Sequence, residues 1–282
     1  MIGGLNAIVE RYHQDAADYA RYWAPVLEAT GRRLLDYVDD FVARRGGEAR
    51  VVEVGVGTGS LVLAALERWP RVELIATDAA RGMLELARER VAAARAGEAR
   101  VRFVEGPADA LPLADGSADL VISTFVLQLV PDRLAALREA GRLLQPGGMV
   151  SYLTWLDRDS SAPFPPADEF DEAVYDLDIE EPELADEPHA GDVRSGRTAT
   201  AELRRAGFAR ASAREDELVY EWTMPGYLDY KVAYDERALL NSLSRSQRTE
   251  LQRNARARLA GLPARDFRWH APVVFARALK PR

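Results

Sequence analysis

From Arg50 onward, short apolar runs alternate with amphipathic segments. The runs are VVEVG (51–55), VELIAT (72–77), VRFVE (101–105), ADLVIST (118–124) and MVSYLTW (149–155), each the length of a buried strand. Between them, 58–68, 80–95 and 132–144 carry apolar residues at helical spacing, and the last ends at Gln145-Pro146-Gly147-Gly148, a strong stop. Strands and helices in this rhythm give successive βα units and a parallel sheet. Upstream, Tyr12, Tyr19, Trp23, Val26, Leu27, Leu34, Leu35 and Val38 recur near a 3.6-residue period, so 5–44 reads as helices with Pro25 separating the first from the second. Downstream, a short helix around Thr200–Ala206 precedes a resumed sheet at Phe208–Trp222, a helical insertion at 224–264 and a last strand from Phe267 to Leu279. The expected fold is α/β: a doubly wound, mostly parallel seven-stranded sheet with helices on both faces, plus N-terminal helices and helical insertions forming a cap. Its divisions are 1–46, a core at 47–156, an insertion at 157–197, and 198–282 with the helical insertion inside it.

Composition narrows the chemistry. Cysteine is absent from the 282 residues, which excludes disulfides, thiolate metal sites and cysteine nucleophiles, and no metal site is expected. The net charge of -8 disfavours a nucleic-acid partner, since phosphate binding needs clustered Lys and Arg. Between Asp157 and Asp192 stand fourteen acids against one base, a run read as a solvated loop or, alternatively, as a feature favouring a cationic amine. No apolar run approaches the ~20 residues of a spanning helix, and the first residues lack a basic region followed by an apolar stretch. A cytoplasmic chain without membrane contact is expected. A homodimer is left open.

The segment VVEVGVGTGS sets Gly55, Gly57 and Gly59 between a buried strand and a helix, letting backbone approach a ligand without Cβ clashes. A dinucleotide fingerprint would read GxGxxG; here the spacing is GxGxG, and Glu53 would not favour a pyrophosphate. Asp78 ends the second strand, where a carboxylate accepts hydrogen bonds from ribose hydroxyls. After the third strand comes Gly106-Pro107-Ala108-Asp109-Ala110-Leu111-Pro112, a loop suited to reading an adenine edge. Taken in order, VEVGVGTG, TDAARGML, EGPADALPL, DGSADLVIS and LLQPGGM resemble a class I S-adenosylmethionine-dependent methyltransferase, of the type that includes the ubiquinone and menaquinone C-methyltransferases. About a hundred residues, Val51 to Tyr152, carry the resemblance.

The resemblance implies S-adenosylmethionine as cofactor, S-adenosylhomocysteine as product, and methyl transfer to oxygen, nitrogen or carbon of a small molecule. It puts Gly55, Gly57 and Gly59 under the methionine part, with Glu53 in the same hydrogen-bond network. Asp78 would hold the ribose, Met83 pack on adenine, Asp109 accept from its amino group and the Ala110 N–H donate to its ring. Ser123 and Thr124 would edge the reaction site. The N-terminal helices resemble the mobile lid of such enzymes, bringing Tyr12, Tyr19 and Trp23 toward the acceptor. Gln128 stands with Val126, Leu127 and Leu129 where related enzymes often carry histidine, so a general base would come from outside the core. Three histidines, His13, His189 and His270, could offer a base at neutral pH; His13 is the candidate, and proximity catalysis without a base is the other course. Aromatic residues in the two insertions favour an apolar or aromatic acceptor over a sugar or nucleic acid. Three other readings compete. A nicotinamide-dependent dehydrogenase lacks its fingerprint here, and a protein or RNA methyltransferase would want a basic groove. A non-catalytic S-adenosylmethionine-binding or scaffold protein of the same fold is the remaining alternative.

Overall fold

The computed structural model describes residues 3–94, 100–157, 163–179 and 189–282. It opens with α1 (Gly3–Gln14), α2 (Ala16–Tyr22) and α3 (Ala24–Ala43). Pro25 lies in the first turn of α3, where a missing N–H costs no hydrogen bond. A further break at Asp15 makes three helices of what the period reads as two. On α3, Val26, Leu27, Leu34, Leu35, Val38 and Phe41 form a buried stripe that packs onto the sheet.

Seven strands form one sheet: β1 (Arg50–Val54), β2 (Glu73–Asp78), β3 (Val101–Glu105), β4 (Ala118–Thr124), β5 (Leu144–Trp155), β6 (Ala209–Glu221) and β7 (Arg268–Leu279). Their order is β3-β2-β1-β4-β5-β7-β6. The first five run parallel, and β7 is antiparallel to both β5 and β6. Strand alternation sends neighbouring residues to opposite layers: Val51 joins the cluster of α3 and α4 (Ser60–Arg68), whereas Val52 joins that of α6 (Arg133–Leu143) and α8 (Gly196–Arg205). The strand α5 (Arg81–Ala94) follows is β2. Beside β4 the register shifts between Ala118 and Leu120, so β5 starts at Leu144, before the Pro-Gly-Gly stop rather than after it.

The acid-rich stretch departs from the loop reading. Residues Pro165–Tyr175 form α7, with Phe170, Ala173 and Val174 buried. Arg258 pairs with Glu169 at 3.2 Å and with Asp176 at 2.8 Å, holding the acids outward; residues 180–188 of the stretch lie outside the described residues. The insertion between β6 and β7 holds α9 (Met224–Tyr230), a π-type turn (Lys231–Asp235), α10 (Arg237–Ser242) and α11 (Arg245–Ala260). Ser244 and Gln247 cap α11 reciprocally, satisfying two N-terminal amides. Phe170, Tyr227, Leu240, Leu251 and Phe267 share a third apolar cluster, which places this cap beside the ends of β5 and β6. Among the described residues no helix is long and apolar enough to cross a membrane.

Candidate active site

The strand order reverses at β1, whose neighbours are β2 and β4, and the crevice outside the carboxyl ends at such a point is where α/β sheets hold ligands. Here β1 runs into the glycine turn. Gly55, Gly57 and Gly59 have φ of 75°, 50° and 79°, but the three serve different ends. A Cβ on Gly55 would lie 2.1 Å from Val126 Cγ2, and one on Gly59 3.1 Å from the Ala87 Cβ, so Gly55 admits β4's continuation and Gly59 the close packing of α4 on α5. A Cβ on Gly57 would meet nothing within 4 Å. It would project into the open space of the cleft. Asp78, ending β2, accepts from the Gly57 and Ala80 amides, both at 2.9 Å. Burial pushes its carboxyl up to about 6, against the lowering pull of those backbone bonds.

Three adjoining cavities have Tyr19 and Phe125 in their walls. The first, about 820 Å³ of space partly open to solvent, lies between Asp78, Met83 and Gly106–Asp109, roofed by Ile8, Val9 and Tyr12 of α1. In the second, about 480 Å³, Glu53, Gly57 and Thr58 face Glu28 and Arg32 of α3. Glu53 is 1% exposed, and its Oε2 has no hydrogen-bond partner among the described residues. Burial, then the charge of Asp78, holds its carboxyl well above the usual range. A third cavity, about 580 Å³, is walled by Trp23, Trp155, Gln128, His189 and Asp192. The glycine cradle and the orphaned acid oxygen fit an elongated ligand with a cationic amine at one end, as S-adenosylmethionine has.

Phe125, common to all three, has φ 55°, a left-handed conformation that costs a bulky residue on the order of 1–3 kcal/mol. Its surroundings enforce it: the Phe125 N–H donates to Leu153 O at 2.8 Å, its carbonyl accepts from Gln128 Nε2 at 2.7 Å, and its ring lies 4.5 Å from that of Trp155.

The residues singled out in the sequence divide accordingly. Tyr12 lines the first and third cavities, Thr124 the first and second, and Trp23 and Gln128 the third. Met83 and Asp109 line the first, together with Gly55, Gly57 and Asp78. Gly59 and Ser123 line none of the three; Ser123 donates to Val54 O at 2.8 Å and ties β4 to β1. Ala110 also stands outside the linings, its N–H donating to Pro107 O at 3.1 Å. His13 is exposed and absent from all three walls, with its Nδ1 accepting from the Gly82 N–H at 2.9 Å. Sequence reasoning missed Phe125, Trp155 and Asp192, and passed over His189 in favour of His13. Trp155 closes a recognised strand and was within reach; His189 and Asp192 follow the acid run with no spacing signal at all. Among the described residues no acid and histidine cluster suited to a metal is found.

Known proteins match this arrangement. A model of the methyltransferase domain matches residues 51–148. Malonyl-[acyl-carrier protein] O-methyltransferase from Geobacter sulfurreducens is 30% identical over 228 residues, covering 77% of this chain and 76% of that protein. The ubiquinone/menaquinone biosynthesis C-methyltransferase UbiE from Dinoroseobacter shibae is 37% identical over 118 residues, but the match spans only 42% of this chain and 46% of that one. Among solved structures, a possible histamine N-methyltransferase from Thermotoga maritima superposes with a TM-score of 0.52 at 19% identity, over 95% of this chain and 98% of that one, a likeness of fold.

Proposed function

The chain belongs to the class I S-adenosylmethionine-dependent methyltransferases, and we propose that within this family it methylates a small apolar or aromatic molecule held between Trp23, Phe125 and Trp155. The observation that carries this reading is the sharing of Tyr19 and Phe125 by three cavities. Two of them suit the two ends of the cofactor, and the third suits an acceptor.

In the first cavity Asp78 has lone pairs left for ribose hydroxyls after its two backbone bonds, and Met83 offers an apolar surface to adenine, with Asp109 at its edge. Glu53 faces the amino-acid end, where an ammonium group would supply the partner its Oε2 lacks. When bound, S-adenosylmethionine supplies a methyl carbon on a cationic sulfur. The protein's part is to align and to dry the reaction site. Tyr12 and Tyr19 roof it from α1 and α2, Phe125 fixes its floor, and rings near a sulfonium stabilise that cation by ~0.5–2 kcal/mol. Orientation of this kind supplies much of the rate of a displacement. The relatives are named for a malonyl-carrier-protein and for quinone acceptors; the aromatic lining supports the ring over the acyl group.

Calorimetric titration with S-adenosylmethionine, S-adenosylhomocysteine and NADH tests the cofactor site. Both sulfur ligands should bind, NADH should not, and Asp78→Ala should weaken them roughly 10–100-fold, the worth of charged hydrogen bonds. Failure of both to bind the intact protein would overturn the reading.

A further inference from the structure

The third cavity sets aromatic rings, Trp23, Phe125 and Trp155 among them, beside the polar side chains of Gln128, His189 and Asp192. Gln128 is buried there, its Oε1 accepting from Thr154 Oγ1 and its Nε2 donating to Phe125 O, each at 2.7 Å, which leaves one amide N–H. Beside it stand His189 and Asp192, carried by a segment stitched firmly to the sheet. The Ala190 N–H donates to Val130 O at 2.7 Å and the Gly191 N–H to Gln128 O at 3.0 Å. From the other side the buried Arg133 guanidinium donates to the carbonyls of Ala190 and Gly191, at 3.1 and 2.8 Å, and pairs with Glu202 at 3.3 Å. Val193 completes the seam by donating to Trp155 O at 3.1 Å. A turn held at so many points fixes the directions of the side chains that flank it.

We propose that His189 is the proton acceptor of the reaction and that the cavity takes an aromatic hydroxyl compound as methyl acceptor, with Asp192 and Arg133 as positioning residues. This rests on the methyltransferase reading above. Three features carry it. His189 lines the acceptor cavity yet is solvent-exposed, so a proton it takes has a way out. An acid stands in the same wall: Asp192, whose carboxyl is raised, first by burial and then by the charge of Asp157, against the lowering pull of Arg133 and His189, with Tyr12 and Tyr19 the other titratable groups among the described lining residues. A carboxylate beside an imidazole orients the ring and stabilises the imidazolium. Finally, among the described residues no Lys or Arg lines the cavity, so a carboxylate acceptor would meet Asp192 with no cation in the wall beside it. A neutral amine, in turn, needs no base before it attacks.

In the step, the acceptor oxygen bonds to the methyl carbon as the carbon–sulfur bond breaks and its electron pair returns to sulfur. The hydroxyl proton passes to the imidazole of His189 and thence to water, leaving a neutral methyl ether and S-adenosylhomocysteine. The test uses the full chain at saturating S-adenosylmethionine, with 2-naphthol, 2-naphthoic acid and tryptamine as probes. The wild-type protein should methylate 2-naphthol alone. His189→Gln should bind S-adenosylhomocysteine unchanged and lose roughly 10²–10⁴ in kcat with little change in KM; Asp192→Asn should lower kcat by less, again with little change in KM. Wild-type turnover in His189→Gln would overturn the proposal. So would methylation of the acid or amine alone, or no turnover of 2-naphthol by protein that binds S-adenosylhomocysteine. Loss of that binding in the wild-type protein would instead overturn the cofactor reading.

Discussion

At the scale of single residues, glycines of one motif separate into folding and binding roles. Gly55→Ala would drive a Cβ to 2.1 Å from Val126 at a φ of 75°, so a large loss of stability is expected, and Val126→Ala should restore part of it, because the φ strain persists. Gly57→Ala meets open space at φ 50° and should cost only about 1 kcal/mol of stability. Its penalty should fall on S-adenosylhomocysteine affinity, and melting curves beside titrations separate the two cases. Asp78 makes a second prediction, with opposite signs for stability and binding. Its carboxyl titrates at about 6 when folded against ~3.9 when unfolded. Stability it contributes is thus fully present below ~3.9 and lost as pH rises to about 6. Affinity for S-adenosylhomocysteine, which needs the ionised acceptor, should rise over the same window by up to about tenfold per pH unit, and Asp78→Asn should flatten both. Glu53 and the raised hydroxyls of Tyr12 and Tyr19 face the same site, so a Glu53→Gln background isolates the effect. The motif residues that touch the cleft through backbone or a short acid were legible in the sequence, since a strand end fixes where they point. His189 was not, because tertiary contacts such as those of Arg133 and Gly191 bring a distant segment to that wall.

Among elements, the roof of the cleft is tied down in part by polar contacts. Arg237 of α10 forms ion pairs with Asp15 and Asp18, latching α1 and α2 onto the cap, while the His13 contact with Gly82 pins α1 to α5. Partly exposed pairs contribute ~0.2–1 kcal/mol each, so Arg237→Met should weaken S-adenosylhomocysteine binding by roughly tenfold or less. Hydrogen exchange should rise across 3–22 and stay unchanged across 24–43, where α3 is anchored by its buried stripe. Equal exchange in both segments would show that the latch is not what orders the roof. The central strands β1, β4 and β5 were legible for a related reason: burial on both faces writes a nearly continuous apolar run. In α7 the period of Phe170, Ala173 and Val174 is interrupted by five acids between Asp168 and Asp176, and charge hid a stripe that only the packing partner Leu251 of α11 makes apparent.

For the whole molecule, the sheet and the 224–264 insertion are separable at the paired ends of β6 and β7. β6 and β7 pair to their ends, with Glu221 opposite Arg268 and the Trp222 N–H donating to Phe267 O at 3.0 Å, so the 224–264 insertion leaves and re-enters at one point. Replacing it by a two-residue Asn-Gly hairpin turn should keep the ladder. The excision removes Arg237 as well, and the loss of S-adenosylhomocysteine affinity should therefore be no greater than in Arg237→Met. Acceptor turnover should vanish, because Tyr230 stacks behind Trp23 at 5.5 Å and gives that wall its support. The milder Tyr230→Ala, which leaves the latch in place, should raise the KM for the acceptor and spare cofactor affinity. A cofactor loss in the excised protein beyond that of Arg237→Met, with the sheet intact by circular dichroism, would mean that the cap shapes the cofactor cleft as well as the acceptor cavity.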